Sequence, residues 1–184
     1  PLRSSTVINR MVLSMLDAWN DPAQRHAMLV HLPIVLTLLG AVLALCLMIF
    51  DHRLRSLRLT CGAVLLAATA GAWMAGESGE DALDRQAALR GEPLSQVAHD
   101  KLERHESLGE WVWAPLAAAT VCVVISAVSD TTLRMFIQIL ARLLTLGATA
   151  LTATTAHLGG ELVYRHGVGV PATGDNVPGP ATDD

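Results

Sequence analysis

Cysteine is scarce and poorly placed for chemistry. Three occur in 184 residues, Cys46, Cys61 and Cys122, and each falls within a long apolar stretch. There is no Cys-x-x-Cys-His, which excludes covalent haem attachment, and no cysteine outside the apolar stretches to build an iron–sulfur cluster or a disulfide there. A phosphate-binding glycine loop, a zinc-protease His-Glu-x-x-His and a serine-nucleophile elbow are also missing, so nothing marks an independent enzyme. Charge is sparse as well, at 16% of residues with a net charge of −4, and this offers no basic surplus for nucleic acid.

What the chain has instead is apolar length. Hydrophobic residues make up 52% of it, concentrated in stretches over 27–50, 57–75, 111–129 and 133–156. Each is near the ~20 residues that cross a ~30 Å hydrocarbon layer as a helix. The expected fold class is all-α: an integral membrane four-helix bundle, residues 22–166, with an extra helical outer loop. Residues 1–21 lack the cleavage pattern of a signal peptide and read as an interfacial amphipathic helix. Asp21 is placed to cap the first span, with Pro22 at its first position and Pro33 kinking it further on. Residues 167–184, rich in Gly, Pro, Asp and Thr, read as a flexible acidic tail. No internal repeat is evident.

In the loop, Ser78 and Asp81 resemble a capping box opening a short helix that Gly91-Glu92-Pro93 stops. A second helix is expected from near Pro93, running unbroken into the third span. Its apolar stripe is Leu94, Ala98, Leu102, His105, Gly109 and Val112, which turns His105 into the bundle. Arg53, Arg55, Arg58 and Arg134 cluster at one end of the spans, so that end is expected to be cytoplasmic and both termini to lie outside a bacterial inner membrane. Arg142, two turns beyond Arg134, is expected to snorkel to the same surface in a structural role.

The seven histidines are unevenly spread. His99 shares a face with Glu103, Glu106 and Glu110 and is expected in solvent; so is His166, beyond a break at Gly159-Gly160. His52 has no histidine partner at its end. His26, His31, His105 and His157 remain, and they fall in one outer layer. His31 is twenty residues from Asp51, about 30 Å up a helix, and His26 and His105 lie about one turn further out.

Ionisable residues bordering a span usually face a partner, a cavity or a cofactor, so these four are candidate ligands of haem iron. Small residues at Ala63, Ala67 and Gly71, and at Gly147, Ala150, Ala153 and Thr154, would let a flat porphyrin approach, or equally serve as helix contacts. One or two b-type haems, a zinc or copper ion, or purely structural imidazoles all stay open. Arg25, Arg104 and Arg165 lie near the same layer as candidate propionate partners. Heights pair His31 with His157 and His26 with His105, whereas a diagonal of first and third spans would pair His31 with His105.

The opening His26-Ala-Met-Leu-Val-His31-Leu-Pro33-Ile-Val resembles the His-Pro-x-x-Val-His-Phe-Pro-Ile start of a widespread bacterial four-span membrane domain of unknown function, with Ala27 replacing proline. The closing His157-Leu-Gly-Gly160-Glu-Leu-Val-Tyr164-Arg-His-Gly-Val-Gly169 is similar to that family's end. Gly79-Glu-Asp-Ala82 and His105-Glu106-x-x-Gly109 match its loop features, so the resemblance covers about 23–170.

Relatives with Rieske iron–sulfur or c-type cytochrome domains imply electron transfer. The expectation is a cytochrome-like subunit of a larger complex, working near the outer face with quinol, a cytochrome c or a Rieske-type protein. The alternative is a non-redox membrane scaffold whose histidines bind a metal ion or are structural.

Overall fold

The computed structural model describes residues 2–50, 55–89, 94–128 and 133–170. These form seven helices: α1 Leu2–Asn20, α2 Pro22–Leu29, α3 His31–Phe50, α4 Arg55–Leu89, α5 Gln96–Gly109, α6 Trp113–Val128 and α7 Leu133–His166. Four helical stretches are long and apolar enough to cross a membrane: Pro22–Ile49, Arg55–Arg85, Gln96–Val128 and Leu133–His166. Two of them are broken near one end, and proline is the cause both times. Asp21 caps α2 through its side chain and Pro22 opens the helix. Pro33 then has no N–H to offer the Leu29 carbonyl, and α2 passes into α3 at Val30–His31.

The expected unbroken helix between the loop and the third span is likewise divided, because Pro115 has no N–H for Trp111. The Trp111 carbonyl takes the Ala114 N–H at 3.2 Å instead, and the Trp111 and Val112 N–H groups reach back only three residues, to Leu108 and Gly109. By contrast, α4 runs through the expected capping box without interruption. Ser78 lies inside it, with its hydroxyl donating to the Ala75 carbonyl at 2.9 Å. At ~1.5 Å per residue its 35 residues are about 52 Å long, well beyond a ~30 Å hydrocarbon core. The Gly159-Gly160 pair does not break α7 either, because interior glycine costs a helix only ~1 kcal/mol. The stop comes at Gly167, in left-handed conformation with φ +62°, where the Val168 N–H reaches the Leu162 carbonyl at 2.9 Å. Residues 167–170, expected as tail, therefore belong to the cap. His52, Gly91 and the rest of the tail lie outside the described residues.

The four long helices pack in a ring. Helix α3 lies against α4 and α7, and α6 against the same two, which leaves α3 diagonal to α6 and α4 diagonal to α7. The short helices follow the same plan, α2 on α4 and α5 on α7. A repeated pattern of burial, not evident from residue identities along the sequence, accompanies this arrangement. Buried Thr37, Gly40, Ala44 and Leu47 of α3 recur 79 residues later as buried Leu116, Ala119, Val123 and Ser126 of α6. Buried Arg58, Cys61, Leu65, Ala68 and Ala72 of α4 recur 80 residues later as buried Gln138, Ala141, Thr145, Ala148 and Thr152 of α7. The bundle is thus two helical hairpins of the same direction, related by a pseudo-two-fold axis along its length.

The outward surface is apolar: Leu38, Ile49, Leu66, Phe136 and Leu143 are each at least 60% exposed. That girdle faces lipid. The core beneath it is built of small residues, with Ala68, Ala119 and Ala148 fully enclosed and Leu65 and Leu116 filling between them. The small-residue rows expected to receive a porphyrin mostly face the other way. Ala63, Ala67, Gly147, Ala150, Ala153 and Thr154 are exposed, and Gly71 alone of the set is buried, where a Cβ would stand 3.1 Å from Leu32 and 3.3 Å from Pro33.

Candidate functional site

At the end of the bundle where α2 and α5 sit, the repeat places two histidines in equivalent settings. The His26 Nδ1 lies 3.0 Å from the Ala75 carbonyl oxygen on α4, with the Ser78 hydroxyl 3.1 Å away. The His105 Nδ1 lies 2.9 Å from the Thr155 carbonyl oxygen on α7. A carbonyl only accepts, so each Nδ1 carries the proton in the neutral ring and each Nε2 keeps its lone pair. Neither Nε2 has a hydrogen-bond partner among the described residues. The rings belong to the diagonal arms of the bundle.

Each ring lies against a glycine one helical turn past its carbonyl partner. A Cβ at Gly79 would stand 3.1 Å from the His26 Cε1, and one at Gly159 would stand 2.9 Å from the His105 Cε1. Glycine is thus required by close approach and not by backbone angle. An ion pair clamps each short helix above its ring: Arg25 with Asp81 between α2 and α4, and Lys101 with Glu161 at 2.8 Å between α5 and α7. Asp81 and Glu161 are 80 residues apart, the same register as the two glycines.

The structure therefore separates the four candidate histidines into two kinds. His26 and His105 are half-buried, each held against a long helix by a backbone carbonyl. His31 is exposed, its Nδ1 donating to the Ala27 carbonyl of its own turn at 2.7 Å, and His157 is exposed on the outer face of α7. Of the candidate propionate partners, Arg25 is ion-paired with Asp81, Arg165 pairs with Glu161 at 3.1 Å, and Arg104 is exposed. His99 is exposed as expected, whereas His166 is half-buried because α7 continues to it and Val168 folds back beneath the helix end.

The carbonyls of Ala75 and Thr155 and the two glycines were missed in the sequence reading. Their signal is Ala75-x-x-x-Gly79 and Thr155-x-x-x-Gly159, two small-residue pairs of the same spacing, 80 residues apart where the histidines are 79 apart. Among the described residues no three metal-ligating side chains come together. The arrangement leaves two imidazole nitrogens, one on each diagonal arm, without a hydrogen-bond partner among the described residues.

Four apolar crossing helices closed around a small-residue core define an all-α integral membrane bundle. The chain belongs to the predicted membrane protein family DUF2231, whose family model matches residues 23–172, from just after the Asp21 cap to just beyond the end of α7. No curated protein and no solved structure matches it.

Proposed function

We propose that the chain is a b-type cytochrome-like subunit that passes electrons near one membrane face, with His26 and His105 as the residues that would hold a haem. The observation that carries this reading is the paired tautomer: two imidazoles on diagonal arms, each with Nδ1–H fixed by a backbone carbonyl and Nε2 left without a partner. A second-shell carbonyl of this kind orients a ligand histidine and raises its basicity. Two imidazoles match the axial set of haem iron and fall short of the three or four protein ligands of a zinc site. A haem held there supplies a one-electron couple.

The chain's own part is to hold both rings in register. Gly79 and Gly159 let them lie close to the helices, and the ion pairs keep α2 and α5 from peeling away. Arg55, Arg58 and Arg134 at the opposite end favour an outward-facing histidine end by the positive-inside rule, and the proposed partner there is quinol, a cytochrome c or a Rieske-type protein.

A second reading rests on the same contacts. Both rings are wedged tightly enough to serve purely as helix clamps, which would make the protein a non-redox scaffold. The visible spectrum of the purified protein decides between them. A Soret band that shifts on reduction, lost in His26→Ala and His105→Ala and retained in His31→Ala and His157→Ala, is expected. A protein that is colourless even when produced with excess haem supports the scaffold.

A further inference from the structure

The opposite end of the bundle breaks its own symmetry at one position. On α4 that position is Gly62, where a Cβ would stand 3.5 Å from Val123 and from Val124, so α4 closes onto α6. Eighty residues later, on α7, it is Arg142. Here a hollow opens instead, lined by Ala44 and Leu47 of α3, Val123 and Ser126 of α6, and Gln138 and Arg142 of α7. It offers about 10 Å³, room for one water-sized group. Where α6 presents Val123 to α4, α3 presents the smaller Ala44 to α7, so the seam beside Arg142 is the less filled of the two.

Arg142 makes no hydrogen bond or ion pair with a described residue. It lies nine residues into α7, about 13 Å from the helix start. Helical side chains lean toward the N-terminus, so its guanidinium is carried back toward the lipid headgroups. Buried Arg58 donates to the carbonyl of Ser126, a residue that lines the hollow, at 3.3 Å.

We propose that this seam is a binding site for the phosphate group of an amphiphile, one phosphate oxygen entering the hollow against Arg142 and the apolar tail remaining in the surrounding lipid. A guanidinium is a planar fork that matches phosphate oxygens, and basic recesses between membrane helices suit anionic headgroups. The site is independent of the histidine pair.

The test uses the full chain, purified in detergent and stripped of lipid, titrated with phosphatidylglycerol or with diacylglycerol and read by native mass spectrometry. Phosphatidylglycerol is expected to bind and diacylglycerol not. Arg142→Gln should weaken phosphatidylglycerol binding about tenfold, the scale of a lost charge-assisted pair. Ala44→Val, which narrows the seam but keeps the cation, should weaken it too, while exposed Arg55→Gln should not. Displacement of the lipid by inorganic phosphate would assign the free anion as ligand; its persistence would assign the headgroup. Equal binding of the two lipids, or wild-type binding by both Arg142→Gln and Ala44→Val, would overturn the proposal.

Discussion

Gly159 and Gly79 allow a test in which two effects of opposite sign compete. Alanine in place of an interior helical glycine ordinarily stabilises by ~1 kcal/mol through backbone entropy and helix propensity. At Gly159 the new methyl would stand 2.9 Å from the His105 ring, which is itself held by the Thr155 carbonyl, so the ring must move and that hydrogen bond weaken. Gly159→Ala is therefore expected to lower the thermal midpoint despite the propensity gain, and Gly79→Ala, at 3.1 Å, to lower it less. Differential scanning calorimetry of the two variants in one detergent checks the order. Midpoints raised in both would mean that the contacts are slack. At this scale the sequence was only partly informative: periodicity placed His105 inward and His99 outward, but it did not rank His26 above His31. Five residues apart, those two lie on different faces of the helix, and only the carbonyl each one reaches separates them.

The elements were legible where chain chemistry is local and illegible where packing overrode it. Asp21-Pro22 opens α2 as expected, because both act on backbone groups within one turn. Ser78 resembles a cap, yet α4 runs on through it despite Gly76 and Gly79, and its hydroxyl bonds back to Ala75 beside His26. The break between α5 and α6 follows from Pro115, whose effect on the apolar stripe is invisible to periodicity because the stripe continues across it. Pro115→Ala is expected to restore the N–H bond to the Trp111 carbonyl and straighten the junction. Relief of an interior proline stabilises an isolated helix by ~3 kcal/mol, but here a straighter α5 would swing His105 away from Thr155. Greater helicity by circular dichroism, together with loss of whatever His105 binds, is the expected pair of results. Unchanged helicity would show that the turn at Glu110–Val112 is set by its packing.

On the scale of the whole molecule, membrane class is readable because it depends on bulk apolar length, and the repeat is not, because most of its core positions match in burial and differ in residue type. Equivalent core positions carry Thr37 and Leu116, Leu65 and Thr145, Leu47 and Ser126, pairs with little chemistry in common. Once the halves are superposed, the outward positions match as well: Leu66 on α4 and Leu146 on α7 are both exposed, at 61% and 46%. Each lies near the middle of its span, facing the bilayer from opposite sides of the bundle. An arginine at such a depth costs ~2.5–3.5 kcal/mol on insertion scales, whereas an exposed site on a water-facing helix tolerates the same change within ~0.5 kcal/mol. Leu66→Arg and Leu146→Arg are thus expected to deplete the protein from the membrane fraction, each by a similar factor, and Glu103→Arg on α5 to leave it unchanged. Quantitative immunoblotting of fractionated membranes reads this out. A strong loss from one leucine and none from its counterpart would show that the two faces are not equivalent in the membrane, one being sheltered from lipid by another protein.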